Sequence, residues 1–239
     1  MPCPGPLPGP RLAADLHERG RRPRRVPVPE HPWSVPRCSS VSFSLAVLGD
    51  SIAYGTGAAR PDDAIGPRLV RALAEDGVDA TLQVVAVPGA VSAALAGQVR
   101  LVTRCDLALV VVGANDLTRL VPPAAAAEQL GSAVRDLRVL GADVLVVPAP
   151  DLSAVPWVPP AFQQLVAVAS GELQRRQTDA VQAAGGVAVP IGTELGARFR
   201  AQPALFSADR FHPSSAGYAL IAEALTPVVR SVARGRAAA

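Results

Sequence analysis

The sequence predicts an α/β protein, a three-layer α/β/α sandwich around a five-stranded parallel sheet. From about residue 42, short runs rich in Val, Leu and Ala alternate with longer stretches of helical periodicity. The short runs are apolar throughout, which is typical of strands buried on both faces of a parallel sheet. Strands that alternate with helices in this way indicate βαβ units with right-handed crossovers.

Each element follows from a local pattern. The predicted strands cover residues 43–48, 81–87, 107–112, 144–147 and 187–191, and the predicted helices cover residues 63–76, 91–100, 123–140 and 160–184, with a last helix from about residue 215. Prolines open the third and fourth helices, where a missing N–H costs no hydrogen bond. Pro227 is expected to kink or end the last helix, because it removes a backbone donor. The packed face of the fourth helix is expected to carry Phe162, Leu165, Val166, Ala169 and Leu173.

The first 40 residues differ in composition from the rest. They hold 10 of the 24 prolines, which predicts a disordered Pro/Arg-rich extension, residues 1–40, before a domain of residues 41–235. Seven arginines and three acids give this segment a charge of +4, whereas the whole chain carries +3. The domain is therefore about neutral, and we predict no nucleic-acid partner. The chain shows neither a signal peptide nor a long apolar run, so we expect a cytoplasmic protein without a membrane span.

Polar motifs follow the predicted strands, where the carboxyl ends of parallel strands form binding sites. Ser51 follows the first strand, Gly89 the second and Asn115 the third, while Asp209 and His212 precede the last helix. Taken singly, Ser51 is equally explained as a helix cap, Gly89 as a turn residue and Asn115 as a cap. His212 has no rival as a base, because the other two histidines, His17 and His31, lie in the N-terminal segment.

Together these motifs resemble the SGNH hydrolases, the GDSL-type esterase and lipase superfamily, in its bacterial single-domain form. The matching blocks are Gly49-Asp50-Ser51, Gly89, Gly113-Ala114-Asn115-Asp116, and Asp209 to Pro213, in the family's order. The resemblance implies a flavodoxin-like fold and a serine esterase that works through an acyl-enzyme. It implies that Ser51 is the nucleophile, His212 the general acid-base and Asp209 its orienting carboxylate. The backbone N–H groups of Ser51 and Gly89, with the Asn115 amide, would form the oxyanion hole.

The sequence indicates the substrate-binding residues less clearly than the catalytic ones. Trp157 and Phe211 are candidates for the wall of a substrate pocket, although both are also explained by core packing. The expected partner is a small-molecule or lipid-like ester, and short loops favour an open cleft and small esters. We predict no cofactor and no metal.

The motifs leave some other protein classes open and argue against two more. An acyltransferase or a carbohydrate O-deacetylase would use the same triad, and a catalytically silent binding module could share the fold. A dinucleotide-binding domain is disfavoured because Arg60 replaces the third glycine of the Gly55-Thr56-Gly57 segment. A zinc hydrolase is disfavoured because one histidine and one cysteine in the domain cannot build the site.

Overall fold

The computed structural model describes residues 42–238 of the chain, except for the side chains of residues 192–194. The predicted disordered extension, residues 1–40, lies outside the described residues. The described part contains five parallel strands in the order β2-β1-β3-β4-β5. The strands are β1 (Phe43–Gly49), β2 (Ala80–Val84), β3 (Leu107–Val111), β4 (Asp143–Val147) and β5 (Val187–Ala188).

Helices cover both faces of the sheet. They are α1 (Ser51–Tyr54), α2 (Ile65–Glu75), α3 (Leu95–Val99), α4 (Ala114–Thr118), α5 (Pro123–Val139), α6 (Pro160–Ala183), α7 (Gly192–Ala201) and α8 (Ser215–Ala237). Short 3₁₀ turns at Pro61–Asp63, Ser92–Ala94, Leu152–Ala154 and Pro203–Leu205 join them. The predicted three-layer sandwich with a five-stranded parallel sheet is confirmed.

Alternate residues of each central strand point to opposite layers, as the pleat requires. On one face, Leu45 and Leu109 pack with residues of α2 and α8. On the other face, Ala46 and Val110 pack with residues of α3, α5 and α6. Both faces are buried, which is why the sequence of these strands is continuously apolar.

β5 is shorter than predicted, with two residues in place of five. The N–H of Val189 still donates to the carbonyl of Val146 at 2.8 Å, but the N–H of Ile191 turns back to the carbonyl of Val189. Pro190 has no N–H, and neither has Pro148 at the end of the neighbouring strand. The ladder therefore stops, and the chain leaves the sheet. β2 likewise ends at Val84, three residues before the predicted limit.

Pro227 does not end the last helix, which continues to Ala237. Pro227 and Glu223, whose carbonyl loses its donor, both lie on the exposed side of α8. Water can satisfy that carbonyl, while Leu225, Val229 and Ala233 keep the opposite side buried in the core. Of the two expected effects, a kink or an end of the helix, the end is therefore wrong, because the apolar stripe outweighs one lost hydrogen bond.

The packed face predicted for α6 is mostly wrong, because only Leu173 of its five residues is buried, while Val166 is partly buried and Ala169 is exposed. Leu173 is buried, but Phe162 and Leu165 are 55% and 65% exposed. The first buried residue of α6 is Ser170, whose Oγ accepts a hydrogen bond from the N–H of Leu152. In the first turns of the helix, Val166 packs against the small cluster of Ala114, Leu152, Val155 and Val158, whereas Phe162 and Leu165 remain largely exposed.

Candidate active site

The turn after β1 positions Ser51. Asp50 caps α1 by accepting a hydrogen bond from the N–H of Ile52 at 2.9 Å, which places Ser51 at the first helical position. Gly49 has a φ of +128°, and a Cβ there would lie 1.8 Å from the carbonyl oxygen of Val111. Only glycine lets β1 and β3 approach this closely while the chain turns into α1.

The side chains of Ser51, His212 and Asp209 form one hydrogen-bonded chain. His212 Nε2 lies 2.9 Å from Ser51 Oγ, and His212 Nδ1 lies 2.6 Å from Asp209 Oδ2. Because Nδ1 faces a carboxylate, it carries the proton and donates, which leaves Nε2 free to accept from the serine hydroxyl. The three predicted triad residues are thus brought together, although 161 positions separate Ser51 from His212.

Asp209 also organises its own loop. Its Oδ1 accepts hydrogen bonds from Ser207 Oγ at 2.7 Å and from the N–H groups of Phe211 and His212, both at 2.9 Å. Partial burial alone would raise the pKa of the Asp209 carboxyl, but the bonds from His212, Ser207 and the backbone hold it well below its ordinary value. The carboxylate is therefore ionised at neutral pH and can stabilise a protonated imidazole.

Contacts between α8 and the segment after α1 hold the two halves of this site together. Tyr218 of α8 is fully buried and its hydroxyl donates to the carbonyl of Thr56 at 2.7 Å. A Cβ on Gly57 would lie 2.9 Å from His212 Cβ. Because glycine has no side chain, the loop of residues 207–213 that carries His212, the histidine loop, can pack against this segment. These contacts set the distance between the serine turn and the histidine loop.

The predicted oxyanion-hole residues lie on the turns after three neighbouring strands. The N–H of Val87, two residues before Gly89, donates to the carbonyl of Gly49, two residues before Ser51. The amide nitrogen of Asn115 is buried and has no hydrogen-bond partner among residues 42–238. A buried amide without a partner is costly, and such groups in a native structure are often kept for a ligand.

A buried carboxylate ties two of these turns together. Asp116 is fully buried and accepts hydrogen bonds from Ser92 N at 3.0 and 3.1 Å and from Ser92 Oγ at 3.0 Å. Ser92 lies three residues after Gly89, and Asp116 directly follows Asn115. The Gly89 turn and the Asn115 turn are therefore hydrogen-bonded to each other through these two side chains.

Asp50 is a buried acid directly before Ser51. It is 1% exposed, and its Oδ2 has no partner within the described part of the chain. Burial raises the pKa of the Asp50 carboxyl to about 6, and the negative charge of Asp116 adds to this shift, while the bond from the Ile52 N–H opposes it.

The predicted pocket residues lie beside His212. The Phe211 ring meets the imidazole of His212 edge to face, with centroids 5.0 Å apart. The Trp157 ring stacks on Phe211 with centroids 5.8 Å apart, and Trp157 is 53% exposed. Phe211 lines a cavity at the edge of the sheet, whereas Trp157 covers Phe211 from the solvent side.

Sequence reasoning missed two glutamines that hold strand ends. Gln98 accepts a hydrogen bond from the N–H of Gly49 at 2.7 Å and donates to the carbonyl of Gly49 at 2.8 Å. Gln177 accepts from Ala149 N at 2.7 Å and donates to Val112 O at 3.2 Å. Each of these glutamines lies within an apolar stripe of its helix. A buried polar side chain needs hydrogen-bond partners, so this pattern could have indicated their role.

No helix within residues 42–238 is long and apolar enough to cross a membrane. No group of three or more His, Cys, Asp and Glu side chains within that range is arranged to hold a metal ion. Burial raises the pKa of the Cys105 thiol to about 11, so this cysteine is not a thiolate that competes with Ser51.

Comparison with known proteins identifies the class. Residues 47–220 match the model of the GDSL-like Lipase/Acylhydrolase family. This match covers more than half of the chain and includes the serine turn, the asparagine turn and the histidine loop. The chain therefore belongs to the GDSL-like lipase/acylhydrolase family, which confirms the resemblance seen in the sequence.

Individual relatives agree with this assignment. The chain is 41% identical over 192 residues to the GDSL-like esterase Rv1075c of Mycobacterium tuberculosis, covering 78% of this chain and 61% of the relative. It thus spans less than two thirds of that protein's length. Among solved structures, TesA has a TM-score of 0.65 at 22% identity, covering 79% of this chain and 99% of TesA. A catalytic mutant of Axe2, an acetylxylan esterase of Geobacillus stearothermophilus, has a TM-score of 0.64 at 17% identity. This similarity covers 78% of the present chain and 94% of the Axe2 chain.

Proposed function

We propose that the protein is a serine esterase that hydrolyses carboxylic esters through Ser51, His212 and Asp209. The observation that supports this most directly is the hydrogen-bonded chain from Ser51 Oγ through His212 to Asp209, with distances of 2.9 and 2.6 Å. The orientation matches what nucleophilic catalysis needs, a hydroxyl beside a base that a carboxylate holds in one tautomer. Family membership and the esterase relatives support the same reaction.

The proposed first half-reaction transfers the acyl group to the enzyme. Ser51 Oγ attacks the ester carbonyl carbon while its proton moves to His212 Nε2. The oxyanion accepts hydrogen bonds from the N–H groups of Ser51 and Gly89 and from the amide of Asn115. Collapse breaks the bond to the alcohol oxygen, which takes the proton from His212 Nε2, and an acyl ester on Ser51 remains.

The proposed second half-reaction returns the enzyme to its starting state. Water gives a proton to His212 Nε2 and its oxygen attacks the acyl carbon, so a second oxyanion forms in the same place. Collapse returns the proton to Ser51 Oγ and releases the carboxylic acid. Throughout, the ionised Asp209 offsets the positive charge of the imidazolium, which the low pKa of its carboxyl permits.

The test is hydrolysis of aryl esters by the wild type, by Ser51→Ala and by Ser231→Ala, an exposed serine on α8 that serves as the matched control. We expect wild-type turnover, full activity of Ser231→Ala, and a loss of at least about 10⁴-fold in kcat for Ser51→Ala, as the triad function in serine hydrolases requires. Absence of Ser51-dependent turnover on every ester would overturn the proposal.

A second candidate is removal of acetyl groups from carbohydrates by the same triad. The observation that favours it is the fold similarity to the acetylxylan esterase, with a TM-score of 0.64. Adding acetylated xylo-oligosaccharides to the same assay separates the two. Ser51-dependent release of acetate from sugars without hydrolysis of simple esters would favour the deacetylase, and ester transfer to added alcohols would favour an acyltransferase.

A further inference from the structure

A cavity of about 360 Å³ lies at the carboxyl edge of the sheet, between the β4–α6 connection and α7. Its wall includes Ile52, which directly follows Ser51. It also includes Phe211 and Pro213, the two residues that flank His212. The wall therefore includes chain neighbours of both Ser51 and His212, although these two residues are not themselves part of it.

The early end of β5 creates this space. Beyond Ala188 the chain leaves the sheet, so no strand covers the end of β4 on that side. Pro190, Ile191 and Leu195 of the departing chain form the outer wall, and Val147 at the end of β4 forms part of the inner wall. The prolines that stop the strand thus open a cavity next to the active site.

Most of the cavity wall is apolar. Its apolar side chains include Val147, Leu152, Val155, Leu195, Phe199 and Phe206. Gln174, a polar residue of the wall, already donates to the carbonyl of Ala149 at 2.7 Å. Among the side chains that the structure describes, the wall has three charged residues. Arg175 and Asp179 are exposed positions of α6, and the carboxylate of Asp151 pairs with Arg200 at 3.1 Å. Such a lining suits an aliphatic chain and offers little to a sugar.

We propose that this cavity binds the acyl chain of the substrate, which makes the substrate an ester of a medium-chain aliphatic acid. The inference rests on the proposed esterase function. The acyl group stays attached to Ser51 until water arrives, whereas the alcohol must leave, so a largely apolar recess beside the serine turn suits the acyl side.

The size of the cavity sets the chain length. A cavity of ~150 Å³ holds the six carbons of a benzene ring, so at the same density a space of about 360 Å³ has room for roughly fourteen carbons, which includes a chain of eight to twelve. This revises the expectation of small esters, which rested on loop length. Loop length does not report a cavity that forms where a strand ends early.

The test compares aryl esters from acetyl to hexadecanoyl. For the wild type, kcat/KM should rise about threefold to fourfold with each methylene that becomes buried, up to about ten carbons, and then fall. A series of alkyl acetates, in which the alcohol grows and the acyl group stays short, should show no such rise. A maximum at acetyl, or a rise that follows the alcohol chain, would overturn the proposal.

Two variants fill the cavity from opposite walls. Leu195→Trp enlarges a side chain of α7, and Thr178→Phe enlarges one of α6. Each should lower the ratio of decanoyl to acetyl ester kcat/KM by at least tenfold. The matched control is Ala197→Trp, an exposed position of α7 outside the cavity wall, which should leave the ratio unchanged. Ratios that stay at the wild-type value in both filled variants would contradict the assignment.

A binding measurement separates this inference from the proposed function. Decanoate should bind to Ser51→Ala protein, and adding Leu195→Trp should weaken that binding at least tenfold by calorimetry. Weakened binding supports the cavity assignment even if no tested ester is hydrolysed. Decanoate binding that Leu195→Trp leaves unchanged overturns the assignment even where Ser51-dependent hydrolysis of short esters is found. Circular dichroism of each variant establishes that it is folded.

Discussion

At the scale of single residues, one carboxylate serves both the backbone and the imidazole of the histidine loop. Asp209 Oδ1 holds two backbone N–H groups of that loop, while Oδ2 holds the ring of His212. The tautomer and the position of the imidazole therefore depend on the same side chain. Ser207 adds a third bond to Oδ1, and its hydroxyl is a positioning group that sequence motifs did not reveal.

Asp50 differs from Asp209, because its surroundings disfavour the charged form of its carboxyl group. Near-complete burial, with a smaller contribution from the negative charge of Asp116, raises the pKa of the carboxyl from 3.8 to about 6. The folded protein therefore binds this proton more tightly than the unfolded chain does. The resulting stability is complete below about pH 4 and is lost as the pH rises through 6.

We predict that Asp50→Asn changes how stability depends on pH. Above pH 7 the variant should be more stable than the wild type by up to ~3 kcal/mol, because it removes a buried charge and keeps an oxygen for the N–H of Ile52. At pH 4, where Asp50 is already protonated, the two should be nearly equal. Urea denaturation at pH 4 and pH 8 measures this difference. A gap that is the same at both values would show that Asp50 does not titrate between them.

At the scale of elements, buried polar side chains hold the turns that carry the site. The turn after β2 and the turn after β3 are joined by Asp116 and Ser92, and the end of β1 is held by Gln98. These contacts do not reach the reacting atoms. They hold the turns of Gly89 and Asn115, the proposed oxyanion donors, whose positions would decide how well a developing oxyanion is bound.

We predict that Asp116→Asn lowers kcat about tenfold and changes KM less than twofold. One amide oxygen cannot replace the two carboxylate oxygens that accept from Ser92, so the Gly89 and Asn115 turns separate slightly, which weakens binding of the transition state more than of the ester. The unfolding free energy should fall by about 1.5–3 kcal/mol. Steady-state kinetics and urea denaturation measure both effects.

The control for Asp116→Asn is Asp136→Asn, an exposed position of α5 that should change neither quantity. If Asp116→Asn loses stability while kcat stays at the wild-type value, Asp116 supports the fold alone and does not position the oxyanion donors.

The sequence predicts where the strands lie better than it predicts where the strands and helices end. Apolar runs located all five strands, but the end of β5 depends on prolines in two strands that only the sheet brings together, Pro148 and Pro190. The effect of Pro227 likewise depends on which side of α8 faces water. The short helices α1 and α4 were read as turns and caps, because four or five residues show no periodicity.

At the scale of the whole molecule, the order β2-β1-β3 places the turns of Gly89, Ser51 and Asn115 side by side. Four motifs in sequence order were enough to predict this grouping, because parallel strands present their carboxyl ends at one edge. The cavity could not be predicted in the same way. It lies between β4, α6 and α7, and its presence depends on how these elements pack, which no single segment of the sequence indicates.

The central claim is that Ser51 is an activated nucleophile, and covalent labelling by a fluorophosphonate tests it most directly. The folded wild type should gain one adduct, which peptide mass spectrometry places on Ser51, while Ser51→Ala should gain none. Labelling should slow at least about 10³-fold in His212→Gln, which removes the base. A folded protein that resists the probe, or an adduct on another residue, would contradict the account.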